Sequence, residues 1–188
     1  MRLPLLPPKA LSEAQKPLYE DMANGIRANF NAFKVIDESG ALMGPWNPWL
    51  RFPKYGAPVW ELVKAMSEAP GLPRTVREVA ILVTGAHFDS AYELYAHVAV
   101  AEAKGLSDDK IATIVGGSRP ADLTHSEGVT YDVTHALLDG GPLPELLYRR
   151  AVETFDEAGA AELIYLVALY SHVSVILNGF NVPVPEKE

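Results

Sequence analysis

The sequence contains no cysteine. That absence excludes disulfides, thiolate metal sites, iron–sulfur clusters and any thiol nucleophile. Positive charge is also in short supply: 16 lysines and arginines face 24 aspartates and glutamates, for a formal net charge of −8, and no basic run offsets it. Phosphate backbones and anionic bilayers are poor partners for such a surface, so neither nucleic acid nor a membrane is expected. The N-terminal Met1 to Pro8 is apolar but too short and proline-rich for a signal peptide, which makes cytoplasmic residence the expectation. The most hydrophobic segment, Leu163 to Tyr170, is closed by Glu162 and by Ser171 and His172; it is well short of a membrane span and reads as a buried core helix. No stretch alternates apolar and polar residues with period two over a useful length, and no glycine fingerprint follows a strand to bind a dinucleotide.

What the chain does have is helical periodicity. Its 188 residues, 48% hydrophobic and 21% charged, suffice for one globular domain with a substantial core. A mean hydropathy of +0.04 is slightly high for a soluble chain and points to surface buried between subunits. Ser12 and Gln15 form a capping-box pattern before a helix to about Asn24, and Pro53 opens a helix to about Glu68 with Val59, Leu62, Val63 and Met66 inward, ended by Ala69-Pro70-Gly71. Pro73 opens a strongly apolar helix that gives way to a turn at Gly85. Asp89 is the expected N-cap of the next, which Gly105 ends. Ser107 caps a short helix to about Val115, Thr124 with Glu127 makes a second capping box, and Pro144 starts a helix with Leu146, Leu147, Ala151, Val152 and Phe155 inward and Gly159 at its end. The last helix, Ala160 to Leu177, is apolar nearly all round and is expected to be central or buried at an interface. The sum is an all-α, single-domain bundle of seven or eight helices, with residues 1–43 as an N-terminal extension carrying one helix and 44–185 as the main helical domain. Between Gly44 and Pro53 turn residues alternate with Trp46, Trp49 and Phe52, a loop that either packs its aromatics on the core or walls a pocket.

Polar residues interrupt the apolar helices at one place. Arg77 and Glu78 sit on the helix that begins at Pro73, and Ser90, Glu93 and His97 follow Glu78 by twelve, fifteen and nineteen residues. The last three recur at i, i+3 and i+7 and so share a helix face, with Glu93 and His97 an i, i+4 pair in which a carboxylate lies one turn below an imidazole. Such a pair can hold the imidazole in one tautomer for acid–base work.

These residues, within Leu72-Pro73-Arg74-Thr75-Val76-Arg77-Glu78, Ser90-Ala91-Tyr92-Glu93-Leu94-Tyr95-Ala96-His97 and Ala103-Lys104-Gly105-Leu106-Ser107-Asp108-Asp109-Lys110-Ile111, resemble the carboxymuconolactone decarboxylase and alkyl hydroperoxidase D family. The likeness runs from about Gly44 to Pro185. In the thiol-bearing branch the pattern is Arg-Glu, a cysteine twelve residues after that Glu, a second three later and a histidine four beyond. Ser90 and Glu93 occupy the two cysteine positions and His97 the histidine position. Peroxide reduction through a cysteine couple therefore cannot be inherited. The chain resembles the cysteine-free, decarboxylase-like branch, and that resemblance implies a bundle of the AhpD-like type, no cofactor, and assembly into trimers or hexamers.

The function this implies is a cofactor-free lyase, or a related proton-transfer enzyme, acting on a small carboxylated compound such as a lactone of aromatic catabolism. His97 is then the acid or base, Glu93 orients it or serves as a second carboxylate, and Glu78 reaches in from the preceding helix. Ser90 and Tyr92 would contact substrate, Trp49 would wall the pocket, and His172 is the histidine of the last helix expected to approach it. Arg77 is the chosen cation for the substrate's carboxylate, ahead of Arg74, Arg51 and Arg119. Blander roles stand beside these: His97 bonded to a backbone carbonyl, Arg77 and Glu78 as a structural ion pair, Tyr92 and Tyr95 as core aromatics. Glu93, His97 and Glu78 as ligands of a divalent metal form a minority alternative to a metal-free site. A non-catalytic binding or assembly protein of this fold and a thiol-independent oxidoreductase are the competing functions.

Overall fold

A computed structural model describes residues 1–68 and 71–185, and Ala69 and Pro70, expected at a helix end, lie outside the described residues. After a 3-10 turn at Pro8–Ala10 the described chain forms eight α-helices: α1 Lys16–Asn29, α2 Trp46–Arg51, α3 Pro53–Glu68, α4 Arg74–His87, α5 Ala91–Ala103, α6 Asp108–Val115, α7 His125–Leu138 and α8 Glu145–Phe180. An isolated bridge between Ile36 and Leu42 is the one extended pairing among the described residues.

Helix α4 is the hub. It buries every residue from Glu78 to Gly85 as well as Val76, because α5, α6, α7 and α8 all pack on it. A helix with no free face needs an apolar sequence all round, which is what Val76, Val79, Ala80, Ile81, Leu82 and Val83 supply. Ile81 and Val76 join Val129, Val133, Leu163 and Leu166 in the layer between α4, α7 and α8, while Val79 and Leu82 meet Ile111 and Ile114 of α6. The third layer draws on both ends of the chain: Met22 and Ile26 of α1, Trp46 and Trp49 of α2 and Trp60 of α3 pack with Tyr92, Leu169, Val173 and Leu177. Residues 1–43 thus supply core to the bundle that encloses the site.

Several boundaries differ from the pattern-based expectation. α1 begins at Lys16 and runs through Gly25 to Asn29; Gly25 marks a close approach and not an end, since a Cβ there would come within 2.7 Å of the Trp60 ring. The expected tryptophan loop is a helix, α2. Trp46, Trp49 and Leu50 are all buried there, and that burial outweighs the turn preference of Pro45, Asn47 and Pro48. α4 continues through Gly85 to His87, and Ser90, not Asp89, is the N-cap of α5, Asp89 having a positive φ of 47°. The two last helices are continuous in α8 apart from a break at Asp156, whose φ is 63° and whose carboxylate accepts from the Gly159 amide at 2.9 Å, an N-cap contact for the second segment. Gly159 follows that break and does not close the first segment. Leu62 and Leu146, expected to face inward, are exposed. α8 contains a window that meets the length and composition of a membrane span; in the fold it packs on α3, α4 and α7.

Candidate functional site

Glu78 and His97 reach each other because α4 and α5 are packed side by side, joined by the tight turn at Phe88–Ser90 in which the Ser90 amide donates to the Gly85 carbonyl. His97 Nδ1 donates to Glu78 Oε2 over 2.9 Å. On the other side of the ring Nε2 stands 3.7 Å from Glu93 Oε2, wider than a hydrogen bond, and that oxygen has no hydrogen-bond partner. All three side chains are buried. The imidazole therefore sits between two carboxylates: Glu78 orients it, and Glu93 faces its free nitrogen.

Burial acts on these groups first. It would depress the imidazole pKa, but the Glu78 carboxylate, through its charge and its hydrogen bond, and the charge of Glu93 outweigh it and hold His97 above its ordinary 6.5. Burial pushes Glu93 up to about 7; His97 works against that rise and the charge of Glu78 adds to it. The site thus pairs an imidazole whose charged form is favoured with a carboxyl group that titrates near neutrality. Tyr170 of α8 stands edge-on to His97, with ring centroids 5.0 Å apart. Burial, then the charges of Glu93 and Glu78, keep its hydroxyl protonated.

Two spaces meet at this array. The larger, about 470 Å³, is lined by Glu78, His97, Arg77, Lys104 and Tyr170 with an apolar wall of Phe30, Ile81, Leu166 and Leu169. The smaller, about 40 Å³, is lined by Glu93, His97, Tyr170, Tyr92, Trp46 and Trp49. His97 and Tyr170 belong to both, with Phe30, Val63 and Leu169, so these five stand between a ligand-sized cavity and an aromatic inner chamber. The indole nitrogens of Trp46 and Trp49 are buried without acceptors. Gly44 packs behind Tyr92: its φ is +58° and a Cβ there would fall 2.4 Å from the Tyr92 ring, so both backbone and packing require glycine.

The remaining residues singled out in the sequence are placed as follows. Tyr92 lines the inner chamber and donates to the Lys34 carbonyl over 3.4 Å. Trp49 separates that chamber from an apolar surface groove containing Phe52, Tyr55, Ile176 and Phe180, and His172 lies in the groove, away from the array. Ser90 is fully buried, its hydroxyl has no partner, and it lines neither space. Arg77 borders the larger cavity, but its guanidinium is paired with Glu162 and donates to the Met66 carbonyl at 3.0 Å, so it does not pair with Glu78. The second Glu162 oxygen accepts from the Gly71 and Leu72 amides, which ties the entry to α4 onto α8. Arg51 donates to the Pro4 carbonyl, Arg119 pairs with Asp132, and Arg74 lines neither space. Asn178 donates to the Phe88 carbonyl and fastens the end of α8 to that of α4. Among the described residues no three of His, Asp and Glu are grouped so as to hold a metal ion. Tyr170 and Lys104 were not visible as site residues from sequence; each lies in an ordinary helical context, and only the packing of α8 and the end of α5 brings them to the cavity.

No protein-family model matches the sequence, and no curated protein is similar to it. Solved structures are. A cysteine-to-alanine variant of the debrominase Bmp8 in complex with 2,3,4-tribromopyrrole superposes with a TM-score of 0.72 at 13% identity, covering 98% of this chain and 93% of that one. The apo form of Bmp8 gives a TM-score of 0.70 at 13% identity, covering 93% and 90%. At 13% identity the likeness is one of fold: this chain shares the architecture of Bmp8 over nearly all of its length.

Proposed function

We propose that this protein is a cofactor-free enzyme of the carboxymuconolactone decarboxylase-like kind, which moves a proton at carbon in a small carboxylated compound, with decarboxylation as its leading reaction. The observation that carries this reading is His97, held at Nδ1 by Glu78 and lining a ligand-sized cavity with Nε2 unbonded. Loss of CO₂ from a carboxylate β or vinylogous to a carbonyl leaves an enolate, which needs charge stabilisation and then a proton at carbon. An imidazolium kept charged by a buried carboxylate supplies both: it offsets the developing charge and delivers the proton from Nε2. Glu93, titrating near neutrality and facing Nε2, is placed to return that proton, and the Tyr170 hydroxyl is a further donor. The tribromopyrrole complex of Bmp8 supports a small ring as the shape such a fold accommodates. Debromination itself is not carried over, because replacing bromine with hydrogen consumes two electrons and this chain has no thiol to provide them.

The test is a panel of β-oxo acids, vinylogous oxo acids and carboxylated lactones incubated with the protein in D₂O containing a chelator, followed by proton NMR. A substrate releases CO₂ or takes up deuterium next to its carbonyl, and His97→Gln slows this by about a hundredfold to ten-thousandfold at an unchanged melting temperature. Parent protein that handles no member of the panel faster than His97→Gln contradicts the proposal and favours a binding protein of this fold.

A further inference from the structure

An acid substrate needs a cation, and the larger cavity is bordered by two that differ in what they face. Arg77 is occupied by Glu162 and the Met66 carbonyl. Lys104, the C-cap residue of α5, is exposed at the rim and has no carboxylate partner among the described residues. It follows His97 by seven residues, with Val100 between them, and all three border the cavity from one face of α5. Two helical turns separate them, roughly 10 Å along the axis. Phe30, Ile81, Leu166 and Leu169 give the cavity an apolar wall. At the inner end the Glu78 carboxylate is taken up by the His97 ring, and among the described residues no unpaired cation borders the cavity there. A carboxylate that is not itself reacting finds its unpaired cation at the rim.

Resting on the function proposed above, the geometry points to Lys104 as the residue that receives the substrate's carboxylate, holding a ring acid with its carboxylate at the rim, its ring on the apolar wall and its reacting carbon toward His97. The carboxylate at Lys104 is a handle and survives the reaction. A substrate that is decarboxylated at His97 therefore carries a second acid group there, and a substrate with one acid group undergoes proton transfer without loss of CO₂.

A lysine at a helix C-terminus also interacts favourably with the unpaired carbonyls of the last turn, so binding and not stability separates the two roles. The probes are benzoate and its neutral isostere benzamide, titrated into labelled protein at pH 7 and low salt, with the resonances of Ile81, Val100 and Tyr170 reporting the cavity. The expected result is benzoate binding about fivefold tighter than benzamide, an advantage lost in Lys104→Met and kept in Lys104→Arg. Benzamide that binds in the cavity as tightly as benzoate, or a benzoate advantage that survives Lys104→Met, overturns the inference and leaves the proton-transfer reading standing. Failure of both probes to shift any of the three residues overturns the inference and the ligand-cavity reading together.

Discussion

At the residue scale the decisive relation is between side chains on different helices. The i, i+4 spacing singles out Glu93 as the partner of His97, yet the hydrogen bond goes to Glu78 on α4, and Glu93 is left facing the free nitrogen. Spacing along one helix reveals neighbours on that helix; it is blind to a partner brought in by packing. The same blindness hid Tyr170 and made Arg77 the natural choice of cation, although Glu162, distant in sequence, takes it. The buried carboxyl of Glu93 has a consequence for stability. Its pKa rises from an ordinary 4.5 to about 7 in the folded protein, so the fold binds a proton that the unfolded chain has released. That contribution is complete below about pH 4.5 and is lost as pH rises through about 7; the raised pKa of His97 acts in the same direction. Glu93→Gln removes the titration, and its stability relative to the parent is expected to rise from pH 5 to pH 8 by up to about 3 kcal/mol. Calorimetry at pH 5, 6.5 and 8 measures this, and a variant stability that stays constant or falls relative to the parent as pH rises speaks against a buried Glu93 that is protonated at low pH.

At the element scale, the helices legible in the sequence are those marked by a residue type at their start or by an apolar composition. Thr124 and Glu127 form the capping box their spacing predicts, and Ser107 stands as N-cap of α6. α4 was legible because an apolar helix enclosed by four others has a distinctive composition. α2 was not. Its six residues include two tryptophans and a proline, and what makes them helical is burial against α1, α3 and α5, a long-range effect that local propensity does not contain. The sequence pattern puts a helix end at Gly159, the residue whose type signals one, whereas the backbone turns at Asp156. Gly159 answers instead to packing, since a Cβ there would lie 2.7 Å from that of Phe155. A glycine in a helix marks either an end or a close approach, and sequence does not distinguish the two.

At the scale of the whole molecule, the all-α architecture follows from periodicity, while the cavity exists only because both ends of the chain close over α4 and α5. Phe30 comes from the N-terminal segment and Leu166, Leu169 and Tyr170 from α8. The outer face of α8 is left apolar. Tyr165 and Val175 are largely exposed, Ala161, Ala168 and His172 lie with them at spacings of three and four, and Phe52 and Tyr55 expose the groove beside His172. A stripe of this kind on a helix matches one made for another helix. We propose that it forms the contact of a homo-oligomer, a trimer or hexamer. Light scattering on the purified protein should give a multiple of the 20.5 kDa chain, and Tyr165→Glu with Val175→Asp should lower that mass. A parent protein that runs at 20.5 kDa at micromolar concentration contradicts the assembly.

The account turns on His97 as an imidazolium held by Glu78, and this is measurable without a substrate. Titration of the His97 ring nitrogens by long-range proton–nitrogen NMR should give a pKa above 6.5, with Nδ1 the hydrogen-bonded position, and Glu78→Gln should lower it. A His97 that stays neutral from pH 5 to 8, or whose titration is indifferent to Glu78→Gln, would contradict the account.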